Sequence, residues 1–157
     1  MAKLVPITEK DYREYRKSFS KIQYSFSKKG ESRPIPMELI HDASMVGILK
    51  KGEFLDIIED PRVAMYFLKN SENEIIGVTA LAFQNGICDI KEFAVFDEGK
   101  GIGRELYELV SDVCRQRGIY EQTLWCPFTF EGSRAFWEKL GFYQKRRDTF
   151  YKRIPKK

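Results

Sequence analysis

The chain is poor in the residues that hold metals or build extracellular frameworks. It has one histidine, His41, and three cysteines, Cys88, Cys114 and Cys126. An odd cysteine count without metal-type spacing argues against both a metal site and a disulfide scaffold. Each cysteine sits in an apolar run, where it reads as a small buried residue and predicts a reducing compartment. No apolar stretch approaches the ~20 residues that cross a bilayer, so no membrane association is expected. Residues 1–6 lack the apolar centre of a secretory signal, and a cytoplasmic protein is expected. Lys and Arg form no dense run, and a net charge of +4 is that of an ordinary solvated surface. Nucleic acid is therefore not an expected partner. Neither a repeat nor a linker divides the 157 residues, which suit one domain over 1–157.

Aromatic residues, by contrast, are plentiful. Twelve Phe and eight Tyr supply a substantial core and exclude a wholly disordered chain. Residues 3–6 read as an opening strand. Thr8 and Asp11 have the spacing of a capping box, followed by Tyr12, Tyr15, Phe19 and Ile22 at helical intervals. Residues 25–36 are rich in Ser, Lys and Pro and read as a loop, with Pro34 and Pro36 arguing against a regular element. A helix is expected over about 37–50, ending near Gly52, and a short amphipathic piece over 54–58. Residues 63–68 and 75–83 read as strands. The second is nearly all apolar, as a strand buried on both faces would be. Asn85-Gly86 signals a tight hairpin into a partner strand over 87–96. Residues 122–126 form a further strand. A short helix follows, with Phe136, Trp137 and Leu140 on its apolar stripe. Residues 142–145 and 149–154 make a closing hairpin. The pattern is a mixed sheet with helices packed on it.

The stretch over residues 93–113 organises this plan. It runs from an apolar strand through Asp97-Glu98-Gly99-Lys100-Gly101-Ile102-Gly103 into a helix with Ile102, Leu106, Leu109, Val110 and Val113 on one face. A helix start has four backbone N–H groups without intrahelical partners and carries partial positive charge. Glycines admit positive φ and close approach of a ligand. The turn is thus an anion site by construction. It does not end in the Gly-Lys-Ser/Thr of a phosphate loop, because Arg104 and Glu105 follow Gly103. Nor do its glycines, at every second position, match the dinucleotide fingerprint.

Taken with Ser133-Arg134-Ala135-Phe136-Trp137-Glu138-Lys139-Leu140-Gly141-Phe142, the turn resembles the GNAT superfamily of acyl-CoA-dependent N-acyltransferases. That family has Gln or Arg, two residues, Gly, one residue, then Gly or Ala, directly after its fourth strand. Further on it has an aromatic pair followed by x-Lys-x-Gly-Phe. The resemblance implies an α/β (α+β) fold with a mixed, mostly antiparallel central sheet flanked by helices. It implies N-acetyl transfer from acetyl-CoA to a primary amine by direct attack in a ternary complex. The alternative is a non-catalytic, coenzyme A-binding regulatory module of the same fold. The acceptor would be a small-molecule amine or a peptide amine, with a homodimer left open and no metal.

The resemblance also assigns roles. Amides around Lys100, Gly101, Ile102, Gly103 and Arg104 would hold the pyrophosphate of coenzyme A. Backbone groups of Phe93 and Val95 would pair with the pantetheine arm, and Ser133 and Trp137 would approach the cofactor from the later helix. An attacking amine must be neutral, so a base is needed, and Asp89 and Glu92 on the same strand are the candidates. Three positions apart, they face opposite sides of a regular strand unless a bulge re-aims one. The chain departs from the family pattern at Glu98, where Gln or Arg is usual, and at Phe130, where Asn is. It departs again at Trp137, where a tyrosine is often proposed as general acid. Tyr107 and Tyr143 are read as packing residues, His41 as an ordinary histidine and Cys126 as a buried thiol.

Overall fold

The computed structural model describes residues 2–8, 10–11, 23–28, 31–36, 60–95, 100–126 and 131–156, giving backbone alone for 23–28, 31–36 and 131. In chain order the described elements are β1 (Lys3–Pro6), β2 (Gln23–Lys28), β3 (Glu31–Pro36), β4 (Val63–Lys69), β5 (Ile75–Gln84), β6 (Ile87–Val95), α1 (Ile102–Gln116), β7 (Glu121–Trp125), α2 (Glu131–Lys139), β8 (Tyr143–Gln144) and β9 (Thr149–Arg153). The expected helices after Thr8 and over 37–50, the piece over 54–58, His41, Glu98 and Phe130 lie outside the described residues.

Seven of the strands form one sheet in the order β1-β4-β5-β6-β7-β9-β8. All neighbours are antiparallel except β6 and β7, which are parallel because α1 crosses between them. The mixed, mostly antiparallel sheet expected from the sequence is therefore present. Asn85 and Gly86 both have positive φ, 55° and 77°, as a tight β5–β6 hairpin requires. Thr8 and Asp11 make the reciprocal cap, with Asp11 N–H donating to Thr8 Oγ1 (3.1 Å) and Thr8 N–H to Asp11 Oδ2 (3.0 Å).

One reading is corrected. Residues 25–36 are not a loop, because β2 and β3 pair as a separate antiparallel hairpin from Gln23↔Pro36 to Lys28↔Glu31. Two strands leave each with a free edge. Pro34 and Pro36 are two positions apart, so both ring nitrogens can face that edge without breaking a ladder bond.

The register separates the sheet's two faces. One carries Leu81, Cys88, Ile90, Leu124 and Phe150, and receives α1 through Leu106, Tyr107, Val110 and Cys114, all buried. A buried polar chain lies in this layer. Tyr107 Oη donates to Gln122 Oε1 (2.7 Å), and Gln122 Nε2 donates to Ser111 Oγ (3.1 Å). It ties α1 to β7. On the other face Met65, Phe67, Val78 and Ala80 are also buried, which explains the nearly continuous apolar run of β5.

Candidate active site

The site begins where two parallel strands part. β6 and β7 pair from Ile87↔Glu121 to Ile90↔Leu124 and no further, although β6 continues to Val95. Residues 91–95 thus keep β5 on one side and leave a gap on the other. The buried Thr79 hydroxyl donates to the Glu92 carbonyl (2.8 Å), so that carbonyl points toward β5. Backbone groups alternate sides along a strand, which turns those of Phe93 and Val95 toward the gap. They are the pair expected to meet the pantetheine arm.

The same stretch carries a bulge. Ala80 pairs with Glu92 but Leu81 pairs with Ile90, so Lys91 is the extra residue. Asp89 and Glu92 then sit opposite Ala82 and Ala80, two positions apart on β5, and share one face of the sheet. A regular strand would have divided them. Asp89 is held by Lys91, Oδ2 to Nζ 2.8 Å. Glu92 lies nearer the gap, half-buried. The sequence does show a signal of this bulge. Cys88 and Ile90 alternate with polar residues, and then two polar residues, Lys91 and Glu92, precede Phe93.

Past the gap stands the N-terminus of α1. Gly101 is its cap, with φ 76° and ψ 5°, a left-handed conformation that favours glycine. The first backbone bond is Glu105 N–H to Gly101 O (3.1 Å), so the amides of Ile102, Gly103 and Arg104 precede it. Gly101, a glycine, supplies no side-chain cap to them. Lys100 and Arg104 are exposed beside this end. Uncapped amides, helix dipole and two cationic side chains fit an anionic group such as a pyrophosphate. Gly103 serves packing as well. A Cβ there would lie 3.1 Å from Phe136 Cε1, so its small size lets α2 approach α1.

Trp137 lies in the core, 6% exposed. Its ring meets Phe93 at 4.7 Å, Phe136 at 4.9 Å, Phe142 at 5.2 Å and Tyr107 at 6.2 Å. It packs against Phe93 on the strand that lines the gap. Ser133 is exposed in the first turn of α2. Cys126, just past the end of β7, is buried, and desolvation pushes its thiol up to about 11. A thiolate nucleophile is disfavoured there. Burial likewise pushes Tyr107 up to about 12, and its hydroxyl is spent on Gln122, as its reading as a packing residue anticipates. Two features escaped sequence reading, the Gln122 chain and the exposure of Trp125. A polar residue at a buried strand position is visible only once the register is known.

A parted parallel pair, a bulged strand and a helix start beyond it make up this frame. The chain belongs to the acetyltransferase (GNAT) family, whose sequence profile matches residues 31–142. It is 31% identical over 77 residues to the uncharacterized protein YxbD of Bacillus subtilis, a stretch covering 49% of this chain and 48% of that one. The chain thus matches about half the length of that relative. Among solved structures it is similar in fold to the PaiA N-acetyltransferase of Thermoplasma acidophilum in complex with coenzyme A. There the TM-score is 0.74 and the identity 15%, over 98% of this chain and 99% of that one. A spermidine N-acetyltransferase chimera from Vibrio cholerae and hSSAT matches at TM-score 0.71 and 13% identity, over 97% of this chain and 94% of that one.

Proposed function

We propose that this acetyltransferase moves the acetyl group of acetyl-CoA to a primary amine by direct attack in a ternary complex, in the cytoplasm. The observation that carries the reading is the gap beyond Ile90 and Leu124, with Glu92 beside it and the α1 N-terminus at its far end. Amides of Ile102 to Arg104, with Lys100 and Arg104, would hold the pyrophosphate. Phe93 and Val95 would bond the pantetheine arm as an added strand does. The bound thioester supplies the activated acyl carbon. Glu92 is the base that takes a proton from the acceptor ammonium, directly or through one water, so that the neutral amine attacks. Asp89, engaged by Lys91, sets the charge beside it. Because Trp137 is buried and indole is no proton donor of the required kind, departure of the thiolate proceeds without an acid at that position.

The test is calorimetric titration with acetyl-CoA, followed by thiol release across an amine panel. Binding with turnover of any amine supports the reading. Absence of binding at millimolar cofactor rejects it. The buried Trp137 favours one other reading, a coenzyme A-binding module without catalysis, for which binding would occur and no amine would be acetylated.

A further inference from the structure

We infer that Thr79 is a positioning residue for the cofactor: its hydroxyl pins the β6 bulge and thereby aims the Phe93 N–H into the gap. The inference rests on the coenzyme A binding proposed above. Between Ile75 and Phe83 of β5, Thr79 is the single polar side chain. It is wholly buried. A hydroxyl inside an apolar layer costs stability unless it is bonded. Ser111 and Gln122, buried as well, bond to one another between α1 and β7. Thr79 Oγ1 instead donates to the strand that borders the gap, at the Glu92 carbonyl, 2.8 Å away.

That bond falls at the register shift. Leu81 pairs with Ile90, Ala80 with Glu92 and Thr79 with Phe93, so the hydroxyl reaches the carbonyl just before its own partner. The Glu92 carbonyl and the Phe93 N–H belong to one planar peptide unit, and in a trans peptide they point in opposite directions. A hydroxyl that holds the carbonyl toward β5 therefore turns the N–H toward the gap. There it can donate to a carbonyl of the cofactor arm.

Parity makes this tie matter. With Lys91 as the extra residue, the backbone groups of Glu92 and Ala94 turn to β5, and those of Phe93 and Val95 to the gap. In an unbulged strand Lys91 and Phe93 would turn to β5, and Glu92 and Ala94 to the gap. The side chains would exchange faces too. The Phe93 ring would then leave Phe136 and Trp137, whose ring centres lie 5.8 and 4.7 Å away. Pairing with β7 ends at Ile90, so β5 is the strand partner that residues 92–95 keep in the sheet. Two restraints thus set the place of the bulge. The aromatic stack holds the Phe93 side chain, and Thr79 holds the peptide unit in front of it.

The experiment compares Thr79→Val, which keeps the shape and removes the donor, with Thr79→Ser, which keeps the donor and removes a methyl. Affinities for coenzyme A and acetyl-CoA are measured by calorimetry. Thr79→Val should weaken both by about tenfold, the scale of one buried hydrogen bond. Thr79→Ser should keep the parent's affinities, because its hydroxyl still donates, although the lost methyl lowers its urea midpoint. Cofactor affinity therefore follows the hydroxyl and not the stability, an order that a merely structural role would not give. Amide exchange supplies a second reading. In the parent, coenzyme A should slow exchange at Phe93 and Val95 and leave Ala94, already turned to β5, unchanged. This pattern needs no variant, so the inference can fail even if Thr79→Val does not fold. Unchanged cofactor affinity in Thr79→Val, an equal loss in Thr79→Ser, or new protection at Ala94 in place of Phe93 overturns this inference and leaves coenzyme A binding and amine acetylation standing. Absence of cofactor binding by the parent overturns both.

Discussion

Two tryptophans stand at the same gap, on opposite faces of the sheet, and they do opposite work. Trp137 is enclosed by Phe93, Phe136, Phe142 and Tyr107 and holds β6 and α2 in place. Trp125 is 62% exposed, on the same face of the sheet as Glu92. The contrast extends to their surroundings. The helix-covered face is largely apolar, and its polar groups include the Tyr107–Gln122–Ser111 chain, the Thr79 hydroxyl bonded to the Glu92 carbonyl and Lys152, whose Nζ donates to the Leu140 carbonyl. The other face carries Asp89, Glu92, Trp125 and Tyr151 around the gap, and buries Met65, Phe67, Val78 and Ala80 further along.

The sharpest way to break the comparison is to truncate each tryptophan in turn. Trp137→Ala removes the hub of four ring contacts and should cost about 3–5 kcal/mol, read as a lower urea midpoint. Trp125→Ala removes a side chain that packs little and should stay within about 0.5 kcal/mol of the parent. Equal losses would show that Trp125 is a core residue after all. Next in size is the effect of the two acids. Glu92→Gln should lower kcat by about 100-fold with acetyl-CoA affinity intact, the scale of a lost general base. Asp89→Asn breaks only an exposed ion pair, worth up to about 1 kcal/mol in stability, and should leave most of the rate. A reversed order would move the base to Asp89.

A smaller effect tests the helix-covered side alone. Gly103→Ala pushes a methyl to within 3.1 Å of the Phe136 ring, which Trp137 and Phe93 hold from behind. Crowding of this kind typically costs 1–3 kcal/mol, and helix propensity returns up to about 1, so a net loss near 1 kcal/mol is expected in thermal or urea unfolding. A gain in stability would mean that α2 yields, and that the aromatic layer is less rigid than its contacts indicate.

How much of this could be read from the residues alone follows from the same division. The helix start at Gly101, the Asn85-Gly86 hairpin, the Thr8–Asp11 cap and the strand order around β5 depend on local chemistry, and local chemistry is written in short stretches of chain. The glycine turn and the Phe136–Phe142 segment together pointed to the family. The face that carries Glu92 and Trp125 is not local. The side that Glu92 takes depends on an extra residue, Lys91, opposite β5. The outward position of Trp125 depends on β7 pairing with β9, 24 residues away at Thr149. Pro34 and Pro36 misled because a proline forbids only a ladder bond, and a two-stranded hairpin has an edge without one. Gln122 reads as an ordinary strand residue until Tyr107 and Ser111 close on it.

The smallest prediction concerns that buried chain and has a definite sign with pH. Burial raises the Tyr107 hydroxyl from 10.0 to about 12, so the fold holds it neutral where the unfolded chain has begun to release its proton. Below pH 10 the two states carry the same proton and Tyr107 gives no pH dependence. Between pH 10 and about 12 the unfolded state binds fewer protons, and stability falls by about 1.4 kcal/mol per pH unit for this group. Tyr107→Phe should lose about 1 kcal/mol near pH 8, because Gln122 loses a donor. It should then fall less steeply than the parent above pH 10, so that the two curves converge. Parallel curves from pH 8 to 12 in urea unfolding would show that Tyr107 ionises freely and that the layer behind the gap is wetter than its packing requires.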